Sequence, residues 1–402
     1  MLSSSCPTFL ASLLLATANL ASANYIPLRE RVGPPPIFRH LTRRDESTGA
    51  PTGIYSNSTL QTVVVKLGTP EQSITAIIDS GSTFLWVPGN DAKCTGCTGN
   101  LVKFNEGASS TFKSQKEAGV KQEIYGDSTN VQGYLAEDTL KLGTVTVSDF
   151  TFMNVFNYTL APAVLPGFGV EYPGIIGMGF PVNSSSLPEF QKVTPIGTTT
   201  TAQLWSKGIK SFGLLPATSK TNGSLILDGS YPKAINQSTI EWVKLVGSAE
   251  NPAINATWTT QLDGFAIEGN KPTGPKGIYL LDTGSRAGQM APESLAEIGK
   301  LLNLTPLTED PTGSTNSTTP STNSTTTPPS NSSTLPGAYY TDCSKVSSLP
   351  ILTMSLNNIS ISLRPEHYIL DIAGYCLFGF FGNANLKKLG YEGIIGMNFL
   401  QG

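Results

Sequence analysis

What most constrains this chain is an acid delivered twice by an apolar run into a tight glycine turn. The first copy is Ala76-Ile77-Ile78-Asp79-Ser80-Gly81-Ser82-Thr83-Phe84-Leu85-Trp86 and the second Tyr279-Leu280-Leu281-Asp282-Thr283-Gly284-Ser285. Each run reads as a buried strand ending in an acid, a small hydroxyl residue and glycine. Burying a carboxylate is costly, so building the device twice points to two carboxylates meant to meet. A single Asp-[Ser/Thr]-Gly would more often be an ordinary turn.

A second matched pair follows the first in the same order. Tyr172 to Phe180 reads Tyr-Pro-Gly-Ile-Ile-Gly-Met-Gly-Phe and Tyr391 to Phe399 reads Tyr-Glu-Gly-Ile-Ile-Gly-Met-Asn-Phe, agreeing at seven of nine positions. The chain is therefore an internal duplication. Asp79 and Gly177 are 98 positions apart, Asp282 and Gly396 114, and the excess coincides with a low-complexity insert. Two homologous halves that each supply a carboxylate imply a site on a pseudo-two-fold axis between them.

With these motifs the chain resembles the pepsin family of aspartic proteases, from about Tyr55 to the C-terminus. The resemblance implies an all-β, bilobal fold with the active cleft between two pseudo-two-fold related lobes, here 45–213 and 214–402. It implies that Asp79 and Asp282 share a water and form the catalytic pair. The hydroxyls of Ser80 and Thr283 would bond across the interface, and Ser82 and Ser285 would bond the outer carboxylate oxygens; Gly81 and Gly284 complete the turns. Ile124-Tyr125-Gly126-Asp127-Ser128 matches the family's flap, with Tyr125 reaching towards Trp86, seven residues after Asp79. Ser128 stands where the family often has glycine. In fungal members an acid at the position of Asp127 goes with acceptance of Lys or Arg, besides bulky apolar residues, next to the scissile bond.

Histidine is scarce: only His40 and His367 occur. That disfavours Ser–His, Cys–His and His-rich zinc chemistry and leaves carboxylates for hydrolysis, with neither metal nor cofactor. His367 is expected to be a surface or packing residue. Two like carboxylates in contact share one proton, as is general for aspartic proteases.

Residues 1–23 read as a signal peptide, with an apolar stretch from Thr8 to Leu20 and a small-residue cut at Ala21-Ser22-Ala23. A secreted product follows. Residues 24–44 carry five arginines against Glu30 and end at Arg43-Arg44. Composition alone also fits a disordered basic linker. The resemblance makes the segment a pro-segment that covers the acids and inhibits the enzyme until removed. Without residues 1–44 the chain keeps 21 basic and 28 acidic groups, a net of −7. That argues against nucleic-acid and anionic membrane partners. Protein or peptide substrates and a monomer are expected.

Beyond Cys6 in the signal remain Cys94, Cys97, Cys343 and Cys376, an even count that suggests two disulfides in a secreted chain. The family pattern pairs Cys94 with Cys97 and Cys343 with Cys376. Strands are predicted at Thr62–Leu67, Thr139–Val147, Ser224–Leu227 and Ile351–Ser355, and a helix at Pro292–Leu302. The Ser/Thr/Asn/Pro-rich insert 309–337 cannot bury a core and reads as a glycosylated surface loop, among eleven Asn-X-Ser/Thr sequons in the whole chain. The chain stops at Gly402, where family members continue for some two dozen residues, so the second lobe is expected to lack its last strands. The competing reading is a catalytically impaired homologue that binds peptides. A glycosidase with paired carboxylates would leave the repeated Ile-Ile-Gly stretches and the flap unexplained.

Overall fold

The computed structural model describes the backbone of 24–30 and residues 60–97, 102–160, 173–180, 199–216, 223–227, 240–247, 257–267, 270–307, 337–372 and 374–400. The predicted signal peptide, most of the predicted pro-segment, Tyr172 and nearly all of the insert lie outside these residues. The described chain is mainly β-strand, in three sheets.

The two predicted acid strands form, and they are built alike. Gln72–Asp79 runs parallel to Ile175–Gly177, with Ile77 opposite Ile175 and Asp79 opposite Gly177. Gly277–Leu281 runs parallel to Gly393–Ile395, with Tyr279 opposite Gly393 and Leu281 opposite Ile395. In each half the short Ile-Ile-Gly strand also pairs antiparallel with the strand that leaves the acid turn, Leu85–Thr95 in one and Gly288–Met290 in the other. Short parallel strands covered on both faces need continuous apolar sequence, and Ile77, Ile78, Ile175, Ile176 and Ile395 are all buried. The glycine that ends each short strand passes against the acid turn: a Cβ on Gly177 would lie 2.6 Å from the Thr83 nitrogen, and one on Gly396 2.9 Å from the Ser285 carbonyl oxygen. Only glycine allows that approach.

Each acid strand belongs to its own sheet and core. Val63, Ile78, Leu85, Phe104, Leu140 and Phe152 pack together in the first half, and Leu262, Tyr279, Leu295, Phe378, Phe380 and Phe399 in the second. The predicted helix forms as Pro292–Leu301, with Leu295 and Ile298 buried and Glu293 and Lys300 at its polar ends. The expected strands near Thr62, Ser224 and Ile351 are found as Gln61–Leu67, Gly223–Leu227 and Leu352–Leu356. Thr139–Val147 is not one strand. It straddles a tight turn between Asn130–Leu142 and Val145–Thr159, because Gly143 takes a φ of 62° and reverses the chain.

The stretch just after the predicted signal cut also forms a strand. Asn24–Glu30 is a strand lying antiparallel between Gln61–Leu67 and Gly223–Leu227, with Leu28 opposite Val63 and Ile26 opposite Leu225. Phe212–Leu215 and Gly223–Leu227 extend the same first sheet. Both expected disulfides are present: Cys94–Cys97 closes a small loop, and Cys343–Cys376 ties the 3₁₀ turn Cys343–Ser348 to the strand Tyr375–Phe378.

Candidate active site

The two acid turns meet through a reciprocal set of hydrogen bonds. The Ser80 hydroxyl donates to the Leu281 carbonyl at 2.7 Å and accepts from the Thr283 N–H at 2.9 Å. The Thr283 hydroxyl donates to the Ile78 carbonyl at 2.8 Å and accepts from the Ser80 N–H at 3.0 Å. Each hydroxyl thus satisfies one donor and one acceptor of the opposite strand end, which a serine and a threonine do equally well. Neither half makes this contact alone, which is the structural reason for the duplication.

The carboxyl groups of Asp79 and Asp282 are buried at this junction and face each other closely enough for the Asp282 charge to act on Asp79. Each accepts the N–H two residues on, Gly81 for Asp79 and Gly284 for Asp282, both at 2.8 Å. The glycines are also close to the opposite acid. A Cβ on Gly81 would lie 2.8 Å from the Asp282 carboxyl carbon, and one on Gly284 2.5 Å from that of Asp79.

The outer hydroxyls differ. The Ser285 hydroxyl donates to the Asp282 carboxylate at 2.7 Å. Ser82 lies beside Asp79 and slightly favours its ionised form, yet its buried oxygen meets no partner at full hydrogen-bond geometry. A misaligned hydroxyl stabilises charge poorly. Burial first, and then the neighbouring Asp282 charge, hold the Asp79 carboxyl well above the usual carboxylate range.

The hairpin Lys121–Ile124 and Asn130–Leu142 carries Tyr125 at its tip. The Trp86 indole N–H donates to the Tyr125 hydroxyl at 2.7 Å, as the sequence pattern requires. Asp127 caps its own turn, accepting from the Thr129 N–H at 2.8 Å and the Thr129 hydroxyl at 3.0 Å. Gly126 and Ser128 complete the exposed tip, and Ser128 has a φ of 74°, the left-handed conformation that glycine adopts most cheaply. His367 sits half-buried in the turn Pro365–Tyr368, among residues of the second sheet.

Two participants were missed by sequence reading. Trp258 donates its indole N–H to the Met178 carbonyl at 2.7 Å, joining the second half to the first, and its ring packs on Phe180 and Phe212. No short motif marks it. Glu123 lies on the flap's inner face, a placement that strand alternation from Tyr125 would have found.

Comparison with known proteins agrees with this geometry. The family model for eukaryotic aspartyl proteases matches residues 62–402. The chain belongs to the eukaryotic aspartyl protease family. This protease is similar to a vacuolar aspartic protease of Candida albicans, 28% identical over 357 residues that span 88% of this chain and 73% of that one. It is 27% identical to vacuolar protease A of Aspergillus fumigatus over 84% of this chain and 73% of that one. Rat cathepsin D is 29% identical over 79% of this chain and 70% of its own. The protease thus has the bilobal pepsin-like fold and is an aspartic-type endopeptidase acting on protein or peptide substrates. No helix among the described residues is long and apolar enough to cross a membrane.

Proposed function

We propose that this protease cleaves peptide bonds at acidic pH through a water activated by Asp79 and Asp282. One observation carries the reading: the Ser80–Thr283 grip holds two buried carboxyl groups side by side. Asp282, with donors from Gly284 and Ser285, acts as the base that takes a proton from the water. Asp79, whose proton is held by burial, donates it to the substrate carbonyl oxygen as the water oxygen bonds to the carbonyl carbon. The tetrahedral species then collapses, the C–N bond breaks, and a proton passes to the leaving amine. No covalent bond to the enzyme forms. Tyr125 and Trp86 close the flap side of the cleft.

The lobes are taken as 45–213 and 214–402. The cleft is read as favouring bulky apolar residues before the scissile bond, with Asp127 adding acceptance of Lys or Arg. The chain enters the secretory pathway through residues 1–23 and is secreted as a monomeric zymogen, its basic segment 24–44 inhibiting until cut. The pairing of Asn24–Glu30 with the first sheet supports a segment held by the folded enzyme. The vacuolar names of the fungal relatives make the vacuole the competing destination, which cell fractionation decides.

The test is cleavage at about pH 3 to 6 of peptides with Phe or Lys before the scissile bond, with and without pepstatin, beside Asp79→Asn. Pepstatin-sensitive cleavage that the variant lacks supports the reading. A folded enzyme that binds such peptides and cuts none would favour the impaired homologue.

A further inference from the structure

Glu123 is a carboxyl group without an evident structural task. It lies on the flap strand Lys121–Ile124, directly opposite buried Val131, and Val131 lies opposite Tyr158 on the next strand. Along the flap strand the side chains alternate. Gln122 and Ile124 point outward, Ile124 being 66% exposed, while Lys121, Glu123 and Tyr125 share the inner face. Tyr125, the next residue on that face, packs on the cluster of Phe84, Trp86, Val131 and Tyr158 and bonds to Trp86. Phe84 and Trp86 follow the Asp79 turn, so this face looks into the cleft beside the acids.

Glu123 is half-buried on that inner face. It makes no hydrogen bond or ion pair with any described residue. Lys121, on the same face, forms no ion pair with it. Burial alone pushes the carboxyl up to about 8, so it is neutral when the cleft is empty at acidic or neutral pH. A carboxyl unpaired among the described residues adds nothing to their stability, and an apolar side chain would fill the place at less cost. What fits it is a cation brought by something else. Asp127, by contrast, already accepts two bonds from Thr129.

We infer that Glu123 is a specificity-determining residue that receives the ammonium or guanidinium group of a substrate lysine or arginine under the flap. The inference rests on the reading of this cleft as the peptide-binding site. On arrival of the cation the Glu123 proton leaves to solvent, and the carboxylate makes a charge-assisted hydrogen bond in a desolvated pocket. Glu123 and Asp127 are then separate acids acting on separate substrate positions.

The test scans lysine, norleucine and acetyl-lysine through the three positions on either side of the scissile bond of a lysine-free parent peptide. At one position the wild-type enzyme should prefer lysine to both neutral analogues by about tenfold in kcat/KM, the size of one such bond. Glu123→Gln should bring that ratio close to one, Glu123→Lys should favour Asp or Glu there, and Asp127→Asn should leave it in place. A lysine preference unchanged in Glu123→Gln and Glu123→Lys, or none at any position in the wild type, overturns the inference while leaving the protease intact. Failure of the wild type to cut even the parent peptide overturns the protease reading as well.

Discussion

The two acid turns are near copies in backbone and differ in how each carboxyl is dressed. Both share the crossed Ser80–Thr283 bonds and a glycine N–H at 2.8 Å. Asp282 has a second donor, the Ser285 hydroxyl at 2.7 Å, whereas the Ser82 hydroxyl beside Asp79 is not aligned to give one. A duplicated fold brings two acids together, and in the proposed mechanism the unequal second donor biases where their shared proton rests. Symmetry supplies the site and its small breach supplies the chemistry.

The largest expected effect tests the symmetric part. Gly284→Ala places a methyl 2.5 Å from the Asp79 carboxyl carbon and must push the pair apart. Peptide turnover should fall by about 100-fold or more, with Gly81→Ala close behind, since its methyl would lie 2.8 Å from the Asp282 carboxyl carbon. Near-normal kcat in either would break the comparison.

The asymmetric part predicts unequal serines. Ser285→Ala removes an aligned charge-assisted bond and should lower kcat by about tenfold. Ser82→Ala, which removes a misaligned one, should cost about threefold or less. Equal losses in the two variants would show that the acids are dressed alike after all.

Trp258 tests the joint between the halves. Trp258→Phe keeps the ring contact with Phe180 but leaves the Met178 carbonyl without its donor. Urea midpoints should report a loss of about 1 to 2 kcal/mol. An unchanged midpoint would mean that the Ser80–Thr283 crossing alone holds the halves in place.

A further effect is on stability against pH. Glu123 binds its proton more tightly folded, at about 8, than at its ordinary value of 4.5. In that window the folded protein holds the extra proton, so stability falls as pH rises from about 4.5 towards 8 and is fullest below. The raised Asp79 acts in the same direction. Glu123→Gln should flatten the slope in denaturant melts taken across that range. A slope identical in the variant would remove Glu123 from the account.

The site was legible in the sequence because its parts are repeated and adjacent in the chain. Asp79 and Asp282 sit in repeated apolar-run-to-glycine motifs, and the repeated Ile-Ile-Gly stretches mark the duplication. Tyr125 and Trp86 were legible through the resemblance to the family's flap pattern. What escaped depends on placement in three dimensions. Trp258 has no motif, since its task is a single bond to a backbone carbonyl 80 residues away. Ser82 and Ser285 are the same residue at equivalent positions, so no sequence could say that one is aligned and the other not. The turn at Gly143 was hidden inside a β-rich run, where apolar alternation continues on both sides.

The measurement closest to the central claim is the pH profile of kcat/KM on one good peptide, for the wild type and for Asp79→Asn. A pair of carboxyls sharing one proton predicts a bell confined to acidic pH. Its alkaline limb would be set by loss of the Asp79 proton, and all turnover would be lost in the variant. A plateau extending through neutral pH, or a variant that keeps the wild-type profile, would contradict it.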